Sequence, residues 1–116
     1  MSLDAENNLI DLIYEFLDIV LSRVISPGAY DILRFNLSKK LGEDVEEILL
    51  NQPDKFYRAL SSIWHSEYFI EQVDIITSRF LKEEYDIEVE DEKVFRRISS
   101  NEIDKFVELI RDVMRR

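Results

Sequence analysis

A chain of 116 residues without cysteine excludes disulfides, thiolate metal sites and cysteine nucleophiles, and its length suits one domain around a single core. Apolar residues make up 46% and charged residues 34%, as in a globular sequence, and two glycines and two prolines are too few for the turns of a sandwich or barrel. The formal net charge of −10 opposes binding to nucleic-acid phosphates or to an anionic membrane.

The first predicted helix runs from Asp4 to Ile25 and is the stretch the chain is organised around. Asp11, Glu15, Asp18 and Ser22 fall on one strip, and apolar residues sweep through about 240° of the wheel, against the ~100° stripe of an ordinary surface helix. Such a helix must be covered on several sides. The acids within it also rule it out as a membrane span or signal peptide.

Ser26-Pro27-Gly28 then reads as an N-cap followed by proline in the first turn of a second helix through Leu41. Tyr30, Leu33, Leu37 and Leu41 point inward, Lys39 and Lys40 suit the negative end, and Gly42 takes the left-handed position beyond it. Asp44-Val-Glu-Glu47 has capping-box spacing and opens a short third helix through Leu50. The fourth runs from Pro53 to Trp64 with Phe56, Leu60 and Ile63 on one side. Ser66 caps the fifth, for which the spacing predicts an inward stripe of Phe69, Val73, Ile76 and Phe80, widened by Ile70 and Leu81.

Residues 83–92 carry seven acids and no base and read as an ordered acidic loop. Ser99-Ser-Asn-Glu102 is a capping box that opens a sixth helix from Ser100 to Arg115, with Ile103, Phe106, Val107, Ile110, Val113 and Met114 as its stripe. Arg111, Arg115 and Arg116 sit at its negative end. Residues 93–116 hold seven Lys and Arg against four Asp and Glu, a net of +3 that leaves −13 on residues 1–92.

Each candidate chemistry has a plainer explanation. Asp11, Glu15 and Asp18 share a helix face, but a bundle di-metal site needs Glu-x-x-His pairs and the sole histidine, His65, belongs to none. The 83–92 loop lacks the central glycine of a calcium-binding loop. His65 has no accompanying nucleophile motif and reads as a junction residue. Lys93, Phe95, Arg96 and Arg97 form the basic-aromatic cluster, too small for a nucleic-acid module. Tyr57, Trp64, Tyr68 and Phe69, around the junction of the fourth and fifth helices, would be interface anchors if exposed.

At that junction, Asn51-Gln-Pro-Asp-Lys-Phe-Tyr-Arg-Ala-Leu-Ser-Ser-Ile-Trp64 and Ile70-Glu-Gln-Val-Asp-Ile-Ile-Thr-Ser-Arg-Phe-Leu81 resemble small archaeal helical domains of the Nitrosopumilus output-domain type. Those share a Pro-x-x-Phe-x-x-x-Leu helix, a short junction and a second amphipathic helix, a likeness covering residues 27–85. Trp64-His65-Ser66 departs from the Phe-Gly junction of that type. The resemblance implies a non-enzymatic module attached to signalling or transcriptional machinery, with no catalytic residues.

The sequence is thus expected to form an all-α, single-domain bundle of five or six helices over residues 1–116. The expected function is a non-enzymatic interaction or regulatory module in a prokaryotic cytoplasm, a homodimer or bound to another protein, without nucleic acid, membrane, metal or cofactor. Ile10, Leu17, Leu21, Trp64, Tyr68, Phe106 and Ile110 are the candidate interface residues, with a second copy expected to finish covering the first helix. The alternative is a metal- or small-ligand-binding protein using the acidic strip or the acidic loop.

Overall fold

In the computed structural model, which describes residues 3–115, helix α1 (Leu3–Val24) is the centre of the fold because its wide apolar arc gives several neighbours a surface to bury. It packs against α2 (Ala29–Leu41), α3 (Val45–Asn51), α5 (Glu67–Tyr85) and α6 (Ile103–Met114), while α4 (Pro53–Trp64) lies on α2, α3 and α5. Ile13, Phe16, Leu17, Val20 and Leu21 are sealed, and Phe16 meets Phe106 of α6 edge-on with ring centroids 5.9 Å apart. Asp11 and Glu15 stay exposed. Most of the arc that suggested a second copy is covered by the four elements around α1, with Ile10, Leu12 and Ile19 left half-buried.

All the regular structure among the described residues is helical: six α-helices and two single 3₁₀ turns at Glu90–Glu92 and Phe95–Arg97. Two starts differ from the sequence reading. Ser26-Pro27-Gly28-Ala29 forms a type II turn, with Gly28 at φ 81° and ψ 0° and the Ala29 N–H donating to the Ser26 carbonyl at 3.0 Å, so α2 begins at Ala29. Residues 99–102 form a turn and α6 begins at Ile103, without the capping box. Its would-be members are engaged elsewhere: Glu102 accepts from Arg97 at 2.9 Å, and the Ser100 N–H donates to Asp54 on α4 at 3.1 Å. The side chain of Asp44 likewise makes no cap.

Other local signals act as expected. Ser66 Oγ accepts from the Phe69 N–H at 3.2 Å, and Pro53 begins α4. His65 ends α4 with φ 60°, and Gly42 at φ 93° ends α2. The acidic stretch 83–92 is a loop over less than its expected length, since residues 83–85 still belong to α5 and Glu90–Glu92 form a 3₁₀ turn; its apolar residues Ile87 and Val89 pack against the core while its acids face outward. Arg116, expected at the end of α6, lies outside the described residues.

Helix α5 is rotated from its expected stripe. Its buried residues are Ile70, Val73, Asp74, Thr77, Ser78 and Leu81, whereas Phe69 and Ile76 are exposed. The cause is Asp74. Its carboxylate accepts the Phe95 N–H at 2.7 Å and the Arg96 N–H at 3.3 Å, and pairs with the Arg96 guanidinium at 2.7 Å, tying the irregular 93–98 segment to α5. Burial pushes this carboxyl above its ordinary range, against the pull of Arg96 and the backbone donors. A second buried anchor joins α2 to α3: Tyr30 donates to Glu46, whose carboxylate also receives Arg34 at 2.8 and 2.9 Å.

Candidate functional site

The rotation of α5 leaves an apolar trough on the surface. Leu21 and Ile25 at the end of α1, Ala29, Ile32, Leu33 and Asn36 along α2, Ile63 and Trp64 at the end of α4, and Phe69 at the start of α5 line an open groove of about 260 Å³. Turn chemistry builds it. The type II turn at Pro27-Gly28 sets α2 beside the end of α1, and the left-handed His65 followed by the Ser66 cap brings Phe69 against Trp64, ring centroids 5.2 Å apart. Trp64 also packs edge-on against the buried Phe95 at 5.7 Å, which fixes the indole from behind.

The outer rim is more apolar than a surface helix requires. Ile32 is 67% exposed, Phe35 61% and Tyr68 71%. Ile32 lines the groove itself, and Phe35 and Tyr68 are the chain neighbours of its lining residues Asn36 and Phe69. Asn36 and Ile63 continue the trough into a wider depression lined by Lys39, Lys40, Ser62 and His65. Lys39 lies over the Phe35 ring at 4.3 Å, and neither lysine is ion-paired among the described residues.

The seven expected interface residues separate on burial. Trp64 lines the groove, Leu21 forms part of its floor, and Tyr68 stands exposed beside Phe69. Leu17, Phe106 and Ile110 are core residues, so they offer no interface: α1 and α6 bury them against each other and their neighbours. Ile10 is half-buried and does not line the groove. The sequence reading missed Ile25, Ile32 and Phe35. Ile32 and Phe35 lie off the Tyr30-Leu33-Leu37 stripe of α2, and surplus apolar residues outside a satisfied stripe were the available signal.

The other candidates are engaged in the fold or dispersed. Arg97 is buried and donates to Glu102 and to the Glu90 carbonyl, both at 2.9 Å, while Arg96 is held by Asp74, so the basic cluster braces the 93–98 segment. Among the described residues no group of three or more His, Asp or Glu side chains gathers as metal ligands would. The Tyr57 hydroxyl donates to Glu67 at 3.3 Å, and burial beside that carboxylate pushes its pKa up to about 12. No described helix is long and apolar enough to cross a membrane.

No protein-family model matches the chain, and no solved structure does. Over 58 residues the chain is 33% identical to an uncharacterized protein of Archaeoglobus fulgidus, a stretch that is 50% of this chain and 48% of that protein. The chain therefore matches about half the length of that relative. The match supports an archaeal likeness for part of the chain and goes no further.

Proposed function

We propose that this chain is a non-catalytic protein-interaction module whose binding surface is the groove between α2 and the α4–α5 junction. The single observation behind this reading is the contiguous apolar trough of Ile25, Ile32, Trp64 and Phe69, left open although the core beneath it is closed. It lies open to solvent rather than enclosed, which suits side chains of a partner better than a small ligand buried on most sides. A regulatory domain of the output type, acting in an archaeal cytoplasm, is the biological setting that the sequence resemblance and the partial archaeal match favour.

Self-association is the second form of this reading, and the exposed Ile32 and Phe35 are the observation that favours it. It no longer rests on α1. The test compares the native chain with the double variant Ile32→Asp, Phe35→Asp by light scattering at tens of micromolar and by affinity capture from an archaeal extract. A dimer, or a retained protein, that the double variant loses is the expected result. A native chain that stays monomeric and retains nothing beyond what the variant retains would sink the module.

A further inference from the structure

We propose that the groove takes an acidic amphipathic helix of a partner protein, its apolar face against Trp64 and Phe69 and its carboxylates against Lys39 and Lys40. This rests on the interaction-module reading above. Although 25 of the 116 residues are acidic, none of the residues lining the groove or its extension is Asp or Glu. The charges there are Lys39 and Lys40, with His65 beside them, and neither lysine has a carboxylate partner among the described residues. Their position in the last turn of α2 answers that helix's negative end, which draws on an ammonium without neutralising it. Asp31, the acid on α2, binds the Tyr14 hydroxyl at 2.7 Å, and Glu43, just past the end of α2, lines a separate depression with Asp44 and Glu47.

An apolar trough running into a basic depression is the complement of a helix with apolar anchors at i, i+4 and i+7 and acids along one flank. A second copy fits less well. A two-fold contact sets the same face against itself, so the two pairs of lysines would meet a lining that contains no carboxylate.

The probes are two synthetic peptides of about 18 residues, long enough to hold a helix. Both carry Leu and Phe at the anchor spacing; one has Glu on its flanks and the other Lys. Emission from Trp64, the one tryptophan in the chain, reports occupancy of the groove directly. The net charge of −10 favours the basic peptide everywhere on the molecule, so a preference for the acidic one can arise only from a local basic field. The expected result is roughly tenfold tighter binding of the acidic peptide at low salt, a gap that closes as salt rises. The double variant Lys39→Glu, Lys40→Glu, with circular dichroism unchanged and Tm lowered because two carboxylates replace cations at the negative end of α2 and the Lys39 contact with Phe35 is lost, reverses the order.

Equal affinity for the two peptides, or an order that survives the charge reversal, overturns the acidic partner while leaving the interaction module standing. A dimer that excludes both peptides and is lost in Ile32→Asp puts a second copy in the groove and also overturns it. Binding of neither peptide by a chain that stays monomeric overturns the acidic helix, and the module falls with it only when the capture experiment also retains nothing.

Discussion

The two faces of α5 mix the usual partition: beside buried Ile70, Val73 and Leu81 and exposed Glu71 and Arg79, each face carries side chains of the other kind. The face turned inward carries Asp74, Thr77 and Ser78, and the face turned outward carries Phe69 and Ile76. Asp74 is met by two N–H groups and a guanidinium, and Ser78 donates to the Asp74 carbonyl at 2.9 Å, whereas the buried Thr77 hydroxyl has no hydrogen-bond partner among the described residues. The outer apolar groups have no comparable arrangement within the chain. Buried polarity here serves the fold, by holding a segment whose regular structure is a single 3₁₀ turn, while Phe69 and Ile76 stay exposed.

The comparison is sharpest at Ile70 and Ile76, the same residue type six positions apart on one helix. Ile70 is sealed and Ile76 is 46% exposed. Ile70→Ala is expected to destabilise the chain by about 3–4 kcal/mol through lost burial and a residual cavity, measured by urea unfolding at pH 7. A loss under about 1 kcal/mol would mean that α5 is turned the other way and that the inward face has been misplaced.

Asp74→Ala comes next, at about 3 kcal/mol. Removing one partner of a buried pair strands the other, and the lower end of that range applies because the Arg96 side chain is 25% exposed and can reach water. The pH dependence follows from the direction of the Asp74 shift. Its pKa is raised by burial above the ordinary 3.8, so its contribution to stability is fully present below that value and falls as pH rises through the folded-state value. Asp74→Asn, uncharged at every pH, lacks that slope. Its stability deficit relative to the native chain should therefore be greatest in acid and shrink towards neutrality, and a deficit that grows with pH would show that pairing with Arg96 outweighs burial.

Tyr30→Phe tests the second buried anchor with a smaller expected loss, about 1.5–2 kcal/mol. The hydroxyl donates to a charged acceptor, but Glu46 keeps both contacts from Arg34 when it is gone. Burial and the Glu46 charge keep this phenol protonated, so the loss should be flat from pH 6 to 9 when measured by the same unfolding curves.

The helices were legible because their signals are local: apolar period, proline at Pro53, serine at Ser66, glycine at Gly42. The failed capping boxes were illegible for a complementary reason. Glu102 and Asp54 have their partners determined by long-range packing, and short-range spacing carries no trace of Arg97 turning inward or Ser100 approaching α4. The rotation of α5 escaped on the same ground. A stripe of Phe69, Val73, Ile76 and Phe80 is the better apolar match, and only the pairing of Asp74 with a segment more than twenty residues away decides against it. Trp64 and Tyr68 could be found at the junction because aromatics clustered at a turn stand out. Leu17, Phe106 and Ile110 could not be told from interface residues, since the apolar pattern of a closed core and that of an open face are the same until the covering elements are placed.

The smallest stability effects belong to exposed apolar side chains, Phe35 on α2 and Ile76 on α5. Ile76→Ser and Phe35→Ser each remove an exposed apolar side chain that the fold does not enclose, so neither should change unfolding free energy by more than about 1 kcal/mol. Phe35 has the additional contact with Lys39, which an exposed setting makes worth about 0.5–1 kcal/mol at most, so its variant falls at the unfavourable edge of that range. A protein that retains such residues for folding would lose stability on both substitutions, and one that retains them for binding would lose only affinity. The pairing of an unchanged unfolding midpoint in Phe35→Ser with a weakened response of Trp64 to the acidic peptide separates these two histories in one molecule. A loss of 2 kcal/mol or more would place Phe35 among the core residues, on the scale of large-to-small core substitutions, and remove the outer rim from the binding surface.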